Sequence, residues 1–465
     1  MSLHVPASRA SLPTGLPNLL ASRRRILSSA LGIGALAATG SLSACGDGSA
    51  TSGLAADAKG DLKGATIKLM VNQPHRLAFT DMLGPAFAKE FGGTLEVTAI
   101  PYDQLTSKQI LDVQGGDGEF DVFDYFYFGL GDLVDAGALV DLTDWIEAND
   151  AGDAGIATAD FLPSIYDPYT LLDGKRYGLP FDGDTHVLYY NAEVFSKYGV
   201  EAPNTWDEYD AAAAKITQDS KGAVYGAIVE GQQVPVILGC SFVNRLAGYG
   251  GALLDADGKP LLTSDAAVSA LQHLIDVSPS ALPTPLQTGF DQANSAFLSG
   301  QGAMLDTWTD LGLKAQDPAS SKIVDKWGVV PLPVGGSNTE HRTALESGFG
   351  LGVSGASGQK EIAAAFVKWA TDKDRNFLVA STAGSGIDPA RKSVLDSDDY
   401  AKAAGKATDV IREGLDGSPL IWPKAAGALK LMQDLVDQLA LAVQGTQDAQ
   451  TSLQKAQDIW VKELG

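Results

Sequence analysis

Apolar residues alternate at Ile67, Leu69 and Val71, a period of two that predicts a strand with one face turned to a core. The period then changes. Phe79, Leu83, Phe87 and Phe91 recur on one helical face until Gly92-Gly93 stops it. Leu95, Val97 and Ala99 alternate again, and strand, helix, strand predicts a parallel βαβ unit of an α/β protein. The run Asp121 to Tyr127 begins as a buried strand and ends in polar aromatics. Ligands of open α/β sheets bind beyond the carboxyl ends of the strands, so Tyr125 and Tyr127 are candidates for a cleft, whereas Phe123 and Phe126 are assigned to the core. Thr205-Trp206-Asp207-Glu208 predicts a capping box ahead of an Ala-rich helix reaching about Ile216. A further helix is predicted from about Ala426 to Val443, with Leu429, Met432, Val436, Leu439 and Val443 on the face that packs on a lobe. There is no internal repeat.

The N-terminal stretch breaks this alternation. Ala30 to Leu42 is weakly apolar, too short and too soft to span a bilayer permanently. Before it, Ser22 to Leu27 with Arg23, Arg24 and Arg25 resembles a twin-arginine export signal; after it, Leu42-Ser43-Ala44-Cys45 resembles a lipobox. Residues 1–44 are therefore expected to be removed and Cys45 to carry lipid. The Gly, Ser, Ala and Asp that follow predict a flexible tether over 45–63, with a reach of roughly 20–25 Å.

Charge narrows the partners. The formal net charge is −23, and residues 1–44 hold four arginines and no acid, so their removal leaves −27. Such a surface repels nucleic acid and anionic headgroups, and any membrane association must come from the lipid. The remaining 421 residues suit two lobes better than one core. With Cys45 lipidated, Cys240 has no disulfide partner and is expected as a buried small hydrophobe. Five histidines occur, none at metal-ligand spacing, and no cofactor is expected. Gly350 to Gly355 fits GxGxxG but leads into a single helix ending near Asp372, so it is read as a glycine-rich strand end. Gly352-Val353-Ser354-Gly355-Ala356 fails the nucleophile-elbow pattern at its last position. Carboxylates are numerous enough that counting leaves a paired-acid glycosidase open.

The segment Gly174-Lys175-Arg176-Tyr177-Gly178-Leu179-Pro180-Phe181 is followed by Tyr189-Tyr190-Asn191, Phe195, Gly199, Pro203 and Thr205 to Tyr209. Further on come Ala296 to Met304, Trp327 to Pro333, Gly348 to Ser354, the helix Ala363 to Ala370 and Asp388-Pro389-Ala390-Arg391. In this order they resemble the extracellular solute-binding proteins of the sugar-binding family 1, relatives of maltose-binding proteins that feed ABC importers. Phe349 stands where many relatives have Trp, and Trp308 follows Met304 earlier than in some. The resemblance implies a two-lobed periplasmic-binding-protein-like fold of type II, crossed at a hinge near Asp182, Val330 and Asp388. The implied lobes are 60–182 plus 332–387 and 186–330 plus 389–465, with ligand between them and closure read by the permease. It implies a monomer that binds without catalysis.

A sugar or polyol offers hydroxyls at its rim and C–H surface on its faces; carboxylates accept from the former and aromatic rings cover the latter. On that chemistry the resemblance points to Asn72, Gln73 and His75 after the first strand, and to Asp124 and Tyr125. It also points to Asp182 and Asp184 at the first crossing, to Asp306, Trp308 and Asp310 in the second lobe, and to Phe349 and Arg391. Two other classes compete: a secreted glycosidase using two of the aspartates, and a binder of cationic solutes such as polyamines, against which Arg391 argues.

Overall fold

The computed structural model describes residues 53–464, apart from 117, 153, 346–347 and 417–419 and the side chains of 345, 416, 420 and 421. The twin-arginine segment, the lipobox and Cys45 lie outside the described residues. Along the chain run β1 (Thr66–Asn72), β2 (Thr94–Ile100), β3 (Val122–Phe126), β4 (Leu179–Asp182), β5 (His186–Asn191), β6 (Met304–Trp308), β7 (Trp327–Val330) and β8 (Phe349–Val353). They form two sheets, one ordered β2-β1-β3-β8-β4 and the other β6-β5-β7, and helices cover both. The chain is thus a two-lobed α/β protein.

The first lobe is built as the alternation requires. Ile67, Leu69 and Val71 are fully buried, and β1 lies parallel between β2 and β3. The four-residue spacing of Phe79, Leu83, Phe87 and Phe91 would drift around an ordinary helix of 3.6 residues per turn. The chain answers with wider turns: Ala78–Leu83 is π-helical and continues into the α-helix Gly84–Phe91, so Phe79, Leu83 and Phe87 are all buried. Gly92 then ends the helix at φ 66°, a left-handed conformation that glycine adopts without penalty. Strand β8 runs antiparallel to both β3 and β4, so its first residue, Phe349, lies at the sheet edge beside Phe126 and Asp182.

In the second lobe β5 pairs antiparallel with β6 and β7. The helix Trp206–Asp219 starts on the expected box: Glu208 N–H donates to Thr205 Oγ1, and Thr205 N–H to Glu208 Oε2, both at 3.1 Å. Cys240 is fully buried in the helix Cys240–Gly248.

Two boundaries differ from expectation. Residues 54–62, assigned to a flexible tether, lie on the first lobe. Leu54 and Leu62 are buried, Leu54 N–H donates to the Asp141 carbonyl at 2.8 Å, and Trp145 Nε1 donates to the Ala58 carbonyl at 3.0 Å. Two leucines in a small-residue segment are enough to dock it. Beyond Asp388 the chain touches the second lobe, where Lys406 Nζ donates to the Trp327 carbonyl at 2.7 Å, and then returns to the first. Trp422 N–H donates to Tyr127 Oη, Lys424 Nζ donates to the carbonyls of Asp167, Pro168 and Leu171, and Gly427 N–H donates to Asp132. Only then does Ala428–Val443 pair with Ala449–Leu464, where Trp460 Nε1 donates to the Leu431 carbonyl at 2.8 Å. Among the described residues no helix is long and apolar enough to cross a membrane.

Candidate functional site

The carboxyl ends of β1, β3 and β4 and the start of β8 converge on one edge of the larger sheet, facing the end of β6. A cavity of about 440 Å³ lies there, lined from both lobes. Among the residues expected in a site it gathers Asn72, His75, Asp182, Asp184, Trp308, Asp310 and Phe349.

Aromatic rings face it from either side. Phe349 packs at 4.2 Å centroid distance on Phe126 and edge-on to His75 at 4.3 Å. Opposite, Trp308 meets Phe290 at 5.2 Å and His186 at 4.3 Å, edge to face in both cases. These contacts fix ring planes that apolar C–H surface can lie against.

The polar wall is anionic and internally braced. His75 is buried, with Nδ1 2.8 Å from Asp124 Oδ2 and Nε2 3.5 Å from Asp182 Oδ2. Burial alone would depress its pKa; the carboxylates of Asp124 and Asp182 outweigh that and raise it to about 10, so the ring is an imidazolium at neutral pH. Burial raises the pKa of Asp182, whose Oδ1 accepts the Asp388 N–H at 2.6 Å. Asp388 is pushed well above the carboxylate range by burial and then by the neighbouring charge of Asp182, and it accepts from the Thr309 hydroxyl. Asp310 is paired with Lys314 at 2.6 Å. Such a wall offers acceptors from its carboxyl oxygens and donors from the Asn72 amide. That set matches a ligand whose hydroxyls both donate and accept.

The remaining expected residues are elsewhere. Asp124 is fully buried beneath the wall, holding His75 and accepting the Asn72 N–H at 3.0 Å; it positions rather than contacts. Tyr125 belongs to the core: its hydroxyl donates to the Tyr169 carbonyl at 3.0 Å and its ring covers Gly350. Tyr127 is likewise buried, stacked on Tyr169. Phe126, assigned to the core, lines the cavity instead. Alternation along β3 contains that answer, because the face that carries Asp124 also carries Phe126 and excludes Tyr125. Asp306 lies deeper in the second lobe, ion-paired with Arg245 at 2.9 Å. Arg391 is locked into the first lobe by the carbonyls of Thr371 at 2.6 Å and Ile156 at 3.0 Å, by Asp160, and over the Phe161 ring. Gln73 is exposed outside the wall. Sequence reasoning missed Tyr102, Val236, Ile237 and Phe290, which line the cavity from loops and helix starts with no periodic signature. Asp388, read only as a hinge, is a wall residue.

Among the described residues no group of three or more His, Cys, Asp or Glu could hold a metal ion.

Comparison with known proteins returns binding proteins whose named solutes differ. A probable amino-acid ABC transporter periplasmic-binding protein of Sinorhizobium fredii is 27% identical over 364 residues, 77% of this chain and 79% of that one. The mannitol-binding protein of Pseudomonas aeruginosa is 25% identical over 268 residues, 56% of this chain and 60% of that one. A solute-binding protein of an Agrobacterium radiobacter ABC transporter, solved with ribitol, superposes with a TM-score of 0.75 at 26% identity, covering 86% of this chain and 99% of its own. The model of the family described as bacterial extracellular solute-binding protein matches residues 72–376. With that match spanning most of both sheets and the cavity between them, the chain belongs to the bacterial extracellular solute-binding protein family.

Proposed function

We propose that this protein captures a neutral polyol or sugar outside the cytoplasmic membrane by closing its lobes and delivers it to the permease of an ABC importer, without turnover. The observation that carries the reading is the cavity itself: aromatic faces from both lobes enclose hydrogen-bonding groups that donate and accept. The mannitol-binding and ribitol-bound relatives support the same ligand class. The His75 imidazolium and Lys314 offset two of the wall's acids, which weakens its pull on a cationic solute such as a polyamine. The working contacts are Asn72, His75, Asp182, Asp184, Trp308, Asp310 and Phe349, joined by Tyr102, Phe126, Phe290 and Asp388. The lobes move about the crossings near residues 182–186 and 330–349, with the third extended beyond Asp388. The protein acts as a lipid-anchored monomer with neither cofactor nor nucleic acid.

A thermal-shift screen of ribitol, D-mannitol, maltose and spermidine tests the ligand class. A true ligand at 100 times its Kd stabilises by about 2.7 kcal/mol. A shift with spermidine and none with the hydroxylated probes overturns the reading, and appearance of a hydrolysis product from maltose replaces binding by catalysis. Cys45→Ala is expected to move the protein from the membrane to the soluble fraction; retention on membranes removes the lipid anchor.

A further inference from the structure

The cavity does not end where its inner wall ends. A second chamber of about 580 Å³ adjoins it between the same lobes, with Thr106 and Phe128 on one side and Pro235, Leu429 and Gln433 on the other. Tyr102, Phe126 and Val236 line both chambers and so form the partition. Two of these are fixed: Phe126 and Val236 are 2% and 6% exposed, and Phe126 is stacked between Phe349 and Phe128. Tyr102 is half-buried, on the loop that follows β2. Its hydroxyl reaches across the cleft to Gln232 Oε1 at 2.5 Å, a bond from the first lobe to the second.

This bridge is built into the surrounding chain. Gly289, at the start of the helix carrying Phe290, lies against both partners. A Cβ there would collide with Gln232 Oε1 and come within 2.9 Å of the Tyr102 hydroxyl. Gly289 has φ −96° and ψ −175°, which any residue adopts, so a side chain here would displace the end of Gln232 and not strain the backbone. Burial, then the charges of Asp103, Asp291 and Glu230, raise the Tyr102 pKa to about 12, so the phenol remains a donor at every physiological pH.

We infer that Tyr102, held by Gln232 and given room by Gly289, is a length gate that confines the ligand to one sugar or polyol unit in the inner chamber. The inference rests on the polyol or sugar reading above. Tyr102 lines both chambers, so a ligand extending from the inner one into the outer one would have to occupy the position of its ring. Without that ring the two chambers become one.

Calorimetric titration of the full chain with ribitol, D-mannitol and maltose tests this, using wild type, Tyr102→Phe, Tyr102→Ala and Gly289→Ala. Wild type is expected to bind one of the polyols at least ~10-fold more tightly than maltose, and Tyr102→Phe, which keeps the ring but loses the bond to Gln232, to narrow that preference partway. Tyr102→Ala is expected to narrow the gap to within ~3-fold, and Gly289→Ala, which pushes the bridge apart and leaves the ring, to narrow it partway. Equal binding of maltose and polyol by wild type overturns the gate. So does an undiminished gap in Tyr102→Ala or Gly289→Ala, whichever of the two keeps the wild-type melting temperature. Binding of none of the three probes by wild type is a different result: it removes the ligand class, and the gate falls with it.

Discussion

Replacing Asp124 by Asn removes the charge under His75 while keeping an oxygen for the Asn72 N–H, which Asp124 accepts at 3.0 Å. The imidazolium then loses its closer partner, at 2.8 Å, and keeps only Asp182, at 3.5 Å. A pKa raised from 6.5 to about 10 corresponds, at 1.36 kcal/mol per unit, to about 5 kcal/mol between the two protonation states. Removing one member of a buried ion pair costs about 3–5 kcal/mol. Because Asp182 remains, the lower end is expected, about 3 kcal/mol of unfolding free energy. The sign with pH follows from the direction of the shift. His75 has a folded pKa above its unfolded value, so its contribution is complete below pH 6.5 and disappears as pH rises through about 10. The wild-type advantage over Asp124→Asn should therefore be full at pH 6 and shrink by pH 10.5. Urea unfolding at several pH values measures the difference, and the ring resonances of His75 in wild type give the pKa directly. A difference that stays constant across this range, or a His75 that titrates near 6.5, would refute the account of the wall.

Trp308→Ala should weaken ligand binding by about 1–3 kcal/mol, read by calorimetry, with Trp308→Phe recovering part of it; an unchanged affinity moves the stacking platform off this residue. Asp184→Asn should lower affinity by roughly ten- to hundredfold, since a hydrogen bond to a charged group is worth about 1.5–3 kcal/mol; equal affinities leave Asp184 as a hinge brace. Tyr125→Phe should cost about 1 kcal/mol of stability through the lost bond to the Tyr169 carbonyl and leave affinity unchanged; a loss of affinity returns Tyr125 to the site. Arg391→Ala should lower the melting temperature without altering affinity, because its partners Thr371, Ile156 and Asp160 all lie in the first lobe.

Periodicity made much of the scaffold legible. The β1–helix–β2 unit, the Thr205 cap and the glycine-rich strand β8 all follow from local patterns that burial enforces residue by residue. The cavity was legible only where side chains stand at strand ends, as with Asp182, Trp308 and Phe349. Tyr125 was misread because its polar tip suggested solvent, whereas a buried phenol needs only one carbonyl to satisfy it, and Tyr169 supplies that carbonyl. Asp306 and Arg391 were misread for the complementary reason. Charge in a sequence suggests a ligand, but both groups are consumed by partners 61 and 231 residues away in the chain, which local reading cannot pair. Tyr102 and Phe290 had no signal, since loop residues acquire a role only when the second lobe is brought opposite the first.

Strand β4 ends at Asp182, yet its sheet neighbour is β8, whose residue Phe349 pairs with it. All three strands of the other sheet are encoded between them. A growing chain can form β1, β2 and β3 early, but β4 must wait as an unpaired edge until the whole second lobe has been synthesised. Such long loop closures slow folding and leave a strand open to wrong partners meanwhile. The larger sheet therefore completes late, and an N-terminal fragment stopping near residue 190 would expose β4 with no neighbour. Were the chain exported by a route that accepts only finished proteins, that route would act as a proofreading step. In a chain with β8 in place β3 and β4 are joined, and one without it presents both as unpaired edges that mark it as unfinished.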